Sequence, residues 1–287
     1  MNGIGPPLVT PFDREGEVDY EQLRELVDWV ERRGVDFLVP CGSTSEAELL
    51  TAEERARVVE TVADEASVPV VAGTGHPGLC ETVEATEAAA DAGADAALVV
   101  TPFYYDHDQS ALAAYYRELA ETVSLPVYLY SVPQFTGVEL DPETVGELTV
   151  QSGIVGLKDS SGSVENLVRI QRRVSESDFD LLVGSASILA QALDAGTSGG
   201  ILALANLVPE RVSEVFETQS EDSQRARTLN AELVEMNAVI VGEYGVPGLK
   251  WAMRERGIPA GHPRTPHNWP DADAREHIEA LVDAEGL

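Results

Sequence analysis

Residues 154–162 read Ile-Val-Gly-Leu-Lys-Asp-Ser-Ser-Gly: an apolar run, one lysine inside it, and a close of small polar residues. The same pattern recurs without the lysine. The other runs are IGPPLVTPF (4–12), DFLVPCG (36–42), PVVAGTG (69–75), AALVVTPF (96–103), PVYLYSVP (126–133), LLVGSA (181–186) and GILALANL (200–207). Each is rich in Val, Leu or Ile, and most end in Gly, Pro, Ser or Thr. Strands buried on both faces read this way. Between the runs lie amphipathic stretches; in the first, Leu23, Leu26, Val27 and Val30 share one face. Gly34, Gly93 and Gly196 each fall between such a stretch and the next run, where a left-handed C-cap ends a helix. Asp19 precedes one helix as an N-cap, and Thr51-Ala-Glu-Glu54 is a capping box.

Eight strands, each followed by a helix, within about 220 residues predict an α/β fold, a (β/α)8 TIM barrel. The barrel is expected over residues 1–220, with 221–287 as a C-terminal helical extension packed on it. No Pro/Gly/Ser-rich linker interrupts the runs. A doubly wound sheet is the competing architecture, and it calls for a nucleotide fingerprint. GTGHPG (73–78) matches G-x-G-x-x-G, but Pro77 sits inside the loop and AALVVTPF ends without a ribose-binding acid.

The 287 residues are 44% hydrophobic, enough for a sizeable core. Fifty acids stand against 19 bases, for a net charge of −31, and the acids are spread along the whole chain. An acidic surface all round argues against nucleic acid or anionic membranes as partners. Of the 19 bases only Lys158 and Lys250 are lysines. An acidic, lysine-poor surface suits a cytosol with molar salt, where the Debye length falls to roughly 3 Å. A GC-rich genome that favours arginine codons is the alternative source of this bias. Two cysteines, Cys41 and Cys80, suggest neither a disulfide framework nor a metal site. No signal peptide and no transmembrane run is apparent, so a cytoplasmic protein is expected.

In a barrel the active site lies at the C-terminal ends of the strands. Candidate polar residues there are Ser43 and Thr44, Tyr104, Tyr130, Lys158 with Asp159-Ser160-Ser161-Gly162, Gly184 and Ser185, and Asn206. Lys158 stands out because it lies within an apolar strand. Burial disfavours a charged amine, and a neutral amine attacks a ketone to form a Schiff base. The structural alternative pairs Lys158 with a carboxylate such as Asp159 or Glu46; strand alternation turns Asp159 the other way. Lys250 follows Pro247-Gly248 at a helix start, where a surface or structural role is expected. Tyr130 is either a proton carrier or an interior aromatic tied to backbone. Ser43 and Thr44 suit carboxylate binding or ordinary turn chemistry. The histidines at 76, 107, 262, 267 and 277 lack ligand spacing, so no metal is expected.

In order along nearly the whole chain, these motifs resemble the dihydrodipicolinate synthase / N-acetylneuraminate lyase family of class I pyruvate-dependent aldolases. They are PPLVTPF (6–12), GSTSE (42–46), TPFYY (101–105), YSVPQFTG (130–137), GLKDSSG (156–162), GSA (184–186), GGILALAN (199–206) and GVPGLKWAM (245–253). The resemblance implies that Lys158 forms an imine with pyruvate and that Tyr130 shuttles protons. It implies a relay through Ser43 and Tyr104, with Tyr104 reaching into a neighbouring subunit. Thr44 and the backbone beside it would hold the pyruvate carboxylate, Ile201 would line that pocket, and the assembly would be a homotetramer. No organic cofactor is implied. Phe135 stands where dihydrodipicolinate synthases carry an arginine for the second substrate's carboxylate, and GSTSE replaces GTTGE. YSVP, GLKDSSG, ALAN and GVPGLK look more like 2-keto-3-deoxy sugar-acid and 4-hydroxy-2-oxoglutarate aldolases.

The expectation is therefore a Schiff-base lyase that cleaves 2-keto-3-deoxygluconate or its 6-phosphate to pyruvate and an aldehyde. Gly184, Ser185 and Phe135 are expected in the substrate pocket beside Thr44 and Ile201. The alternatives are 4-hydroxy-2-oxoglutarate cleavage, synthesis of 4-hydroxy-tetrahydrodipicolinate from pyruvate and aspartate semialdehyde, dehydration of a keto-deoxy acid, and a non-catalytic keto-acid-binding barrel.

Overall fold

The structure, a computed structural model, describes residues 1–286. Seven parallel strands run β1 Gly3–Gly5, β2 Val71–Gly73, β3 Ala96–Val100, β4 Val127–Ser131, β5 Ile154–Asp159, β6 Asp180–Val183 and β7 Gly199–Ile201. Their order in the sheet is β1-β7-β6-β5-β4-β3-β2. The gap between β2 and β1 is filled by residues 36–40, which form no regular strand yet bond on both sides. Val39 N donates to Pro6 O at 3.1 Å and Leu8 N to Val39 O at 3.0 Å; Leu38 N donates to Pro69 O and Val71 N to Leu38 O, both at 2.9 Å. These contacts close the ring of eight. The ladder is short because Pro40 has no N–H and Cys41 turns into positive φ (58°).

The helices are α1 Tyr20–Glu31, α2 Ala52–Glu65, α3 Leu79–Asp91, α4 Gln109–Thr122, α5 Pro133–Thr136, α6 Pro142–Leu148, α7 Val164–Val174, α8 Leu189–Asp194, α9 Pro209–Gln219, α10 Ser223–Met236, α11 Gly245–Glu255 and α12 Ala272–Ala284. Their ends follow the local chemistry. Asp19 accepts from Gln22 N ahead of α1, and Thr51 and Glu54 form the capping box of α2. Gly34, Gly93 and Gly196 all have positive φ. Between α10 and α11, residues Asn237–Glu243 form a π-helix. Such wide turns cluster at functional sites.

Two apolar cores result. Inside the barrel, Phe37, Val39, Leu98, Tyr128, Tyr130, Leu182 and Ile201 pack together. Between strands and helices a larger core gathers residues such as Leu23, Leu129, Leu157 and Ile170. Leu233, Met236, Leu249, Met253 and Ile278 from the C-terminal helices join that same outer core. Charge sorts sharply. Among the described residues only Glu46 and Asp159 of the acids are buried, and both lysines are. Surface cations are therefore all arginine.

Candidate active site

β4 and β5 pair in register, with Tyr130 beside Lys158 and Lys158 beside Leu182 of β6. Neighbours in a parallel sheet point the same way, so all three face the barrel interior. Lys158 and Tyr130 are each 5% exposed, and Lys158 Nζ lies 4.3 Å from the Tyr130 ring centroid. That contact puts the amine against the negative face of the phenol ring. The next residue, Asp159, points outward. Its carboxylate accepts from Ser161 N (3.0 Å), Ser161 Oγ (2.6 Å) and Asn166 Nδ2 (3.0 Å). Burial raises its pKa while these donors oppose the shift. Asp159 thus shapes the loop after β5 and leaves Lys158 alone.

Lys158 and Tyr130 open into a cavity of about 290 Å³ at the C-terminal end of the barrel. Ser43, Thr44, Phe135, Gly184, Ser185 and Ile201 line it as well. Ser43 belongs to a 3-10 turn, Ser43–Ser45, that follows the irregular segment 36–40. Ser43 also borders a smaller void of about 30 Å³ shared with Tyr130. Gly184 leaves room for a neighbour: a Cβ there would fall 1.8 Å from Ser160 Oγ. Phe135 sits on α5 at the mouth and is 65% exposed. Tyr104 is not brought into this group. It is 85% exposed, has positive φ (81°) and stacks edge-on against Tyr105.

Among the described residues, the cavity lining holds one basic side chain, Lys158, and no acidic one, in a chain of net charge −31. Both carboxylates weighed as its partners are engaged elsewhere. Glu46 pairs with Lys250, and both side chains are wholly buried. Lys250 is thus a structural lysine, and the surface position open to it from sequence is excluded. It looks like a helix-start residue in sequence, but α11 begins earlier and seals it under the 262–267 segment. Burial lowers Lys250 to about 8, and the Glu46 carboxylate pulls it back up. Cys41 is buried, and the lack of water pushes its thiol up to about 12, which removes it as a nucleophile at neutral pH. Asn206 is a tie, donating to Pro7 O and Ala203 O and accepting from Val9 N. No cluster of three or more metal-type side chains occurs among the described residues, and no helix there is long and apolar enough to cross a membrane.

One wall has no counterpart in the reading from sequence. Asn237, Val241 and Gly242 of the π-helix and Gly245, Val246 and Leu249 of α11 close the cavity from the C-terminal side. The motif GVPGLKWAM was the available signal, but the residues in it carry no obvious chemistry. Only the return of the chain over the barrel mouth makes them a wall.

A cavity with one unpaired buried amine, a phenol against it and several hydroxyls can form an imine and move protons. Comparison with known proteins identifies the family. The model of the dihydrodipicolinate synthetase family matches residues 1–285. An uncharacterized DapA-like lyase of Halobacterium salinarum is 40% identical over 290 residues, covering 100% of this chain and 95% of the relative. A 4-hydroxy-tetrahydrodipicolinate synthase of Methanothrix thermoacetophila is 37% identical, covering 93% of this chain and 90% of the relative. The crystal structure of a dihydrodipicolinate synthase from Acinetobacter baumannii, complexed with pyruvate, superposes with a TM-score of 0.96 at 33% identity, covering 100% of this chain and 99% of that one.

Proposed function

The chain belongs to the dihydrodipicolinate synthetase family of class I pyruvate-dependent lyases, and from that premise we propose that it cleaves a 2-keto-3-deoxy sugar acid to pyruvate and an aldehyde. The observation that carries this reading is Lys158: buried, inside the barrel, with Tyr130 against it and no carboxylate bonded to it. In this reading the Lys158 amine adds to the C2 carbonyl, a proton taken up from solvent lets the carbinol hydroxyl leave as water, and a protonated imine remains. The Ser43–Thr44 turn holds the C1 carboxylate, with Ile201 and Ser185 beside it. Tyr130 takes the C4 hydroxyl proton as its own passes on through Ser43, the C3–C4 bond breaks, and that bond's electron pair neutralises the iminium as an enamine. The aldehyde leaves. Protonation at C3 and hydrolysis then release pyruvate and the free amine. The 30 Å³ void shared by Ser43 and Tyr130 supports a hydroxyl relay between them. Tyr104 completes that relay from a neighbouring subunit of a homotetramer, in keeping with its exposure.

The substrate follows from what faces the imine. A second anion finds no arginine among the lining residues, and Phe135 presents a ring at the mouth. Ser160 supplies a hydroxyl and Asn237 an amide oxygen instead, the Asn237 Nδ2 being bonded to Ser187 Oγ and the Ser161 hydroxyl to Asp159. This favours 2-keto-3-deoxygluconate over its 6-phosphate. Synthesis of 4-hydroxy-tetrahydrodipicolinate is the second reading, favoured by the name of the Methanothrix relative. Incubation with pyruvate and borohydride, followed by peptide mass mapping, tests the imine. We expect one adduct, on Lys158. No adduct, or an adduct on Lys250, defeats the mechanism. A substrate panel then separates the readings: faster turnover of aspartate semialdehyde than of deoxy-sugar acids selects the synthase, and release of carbon dioxide selects a dehydratase.

A further inference from the structure

The Lys250–Glu46 pair is the most deeply buried charge in the molecule, and the imine chemistry makes no use of it. Lys250 Nζ has three protons and three oxygen acceptors: Thr10 O at 2.7 Å, His262 O at 2.8 Å and the Glu46 carboxylate. The other Glu46 oxygen accepts from Arg264 N at 3.0 Å and meets His267 Nδ1 at 3.0 Å. All three Lys250 protons and both Glu46 oxygens are therefore engaged. Glu46 also adopts a left-handed conformation, φ 57°, immediately after the Ser43–Ser45 turn. Such backbone is costly for a glutamate and persists only where the surroundings hold it.

The pair sits between two walls of the cavity. Glu46 ends the turn that carries Ser43 and Thr44, and Lys250 follows Leu249 on α11, which also lines the cavity. A second bond closes the circuit, since Thr10 Oγ1 donates to Ser45 O at 2.7 Å. A buried ion pair is a poor source of net stability, because desolvation offsets most of the attraction. Its directional bonds do fix geometry.

We propose that Glu46 and Lys250 are positioning residues that hold the Ser43–Thr44 turn at the spacing from Lys158 needed to grip the keto-acid carboxylate. The inference rests on the reading of that turn as the carboxylate cradle. It makes a distinct claim: the pair sets affinity for the keto acid and leaves the reactivity of Lys158 alone.

The test is the pyruvate dependence of borohydride trapping on the full chain. The double variant Glu46→Leu/Lys250→Met removes both charges and so leaves neither one buried alone. We expect half-maximal trapping to need about tenfold more pyruvate, with trapping at saturation within about threefold of wild type. A folded double variant that half-saturates at the wild-type concentration overturns the proposal. Should the double variant not fold, Thr10→Val decides, since it removes only the bond to Ser45 O. A rise of about twofold or more in half-saturating pyruvate supports the clamp, and no change overturns it. Absence of any adduct in the wild-type protein would defeat the active-site reading itself, a result distinct from either of these.

Discussion

Lys158 and Lys250 are the same residue type, both buried, and their neighbours assign them opposite work. Lys250 has an acceptor for each proton and a carboxylate at contact, so it stays a cation. Lys158 has a phenol face and an open cavity. Tyr130 can be separated from it experimentally. Tyr130→Phe keeps the ring against the amine and removes the hydroxyl proposed to carry the proton, so kcat should fall by about 10²–10⁴-fold. Pyruvate should still be trapped on Lys158 by borohydride. Loss of trapping together with turnover would mean that Tyr130 acts in forming the imine and not only in the cleavage step. In the sequence, Lys158 was legible because apolar strands rarely hold a lysine. The fate of Lys250 was not, because its partners lie more than 200 residues away or beyond the next turn.

At the scale of elements, the strand runs were legible and their lengths were not. The run 200–207 is a strand only through Ile201, after which Ala203–Asn206 coils into a 3-10 turn. The one polar side chain in that tail, Asn206, is turned inward to bond Pro7, Ala203 and Val9. The closure of the ring also depends on a backbone approach that composition cannot reveal. Gly199 of β7 pairs with Gly3 of β1 at φ 147°, and a Cβ there would fall 1.9 Å from Gly3 O. Gly199→Ala should therefore cost at least about 1–3 kcal/mol, because backbone must move to admit it. Denaturant titration of the variant beside wild type checks this. An unchanged midpoint would mean that β1 can shift without loss.

At the scale of the molecule, the C-terminal segment is fastened to the barrel by charge as well as by packing. Arg264 donates to both oxygens of Glu54 at the start of α2 and to Leu49 O and Gly16 O. The guanidinium holds the Glu54 carboxyl down at about 2, from 4.5. A carboxylate depressed in the folded state adds stability above its unfolded value and loses it as pH falls. The window here runs from about 4.5 down to about 2, with an upper limit of about 3 kcal/mol. Glu54→Gln should thus be less stable than wild type at pH 7, and the gap should narrow through that window in denaturant titrations. A gap that stays constant with pH would assign the loss to packing. The remaining charge is a surface matter. An exterior of many acids against few arginines suits high salt, where repulsion is screened, in line with the Halobacterium relative.

The sequence by itself determined the barrel, the place of Lys158 inside an apolar strand and the acidic, lysine-poor composition. These follow from local pattern: periodicity, turn residues and an ion out of place in an apolar run. Tertiary structure alone decided three other things. It put Glu46 on Lys250 and so left Lys158 unpaired. It laid the π-helix and α11 across the cavity as a wall. It left Tyr104 outside the group. Each is a contact between residues far apart in the chain or a consequence of surface, and no local pattern encodes which distant group arrives to satisfy a buried charge.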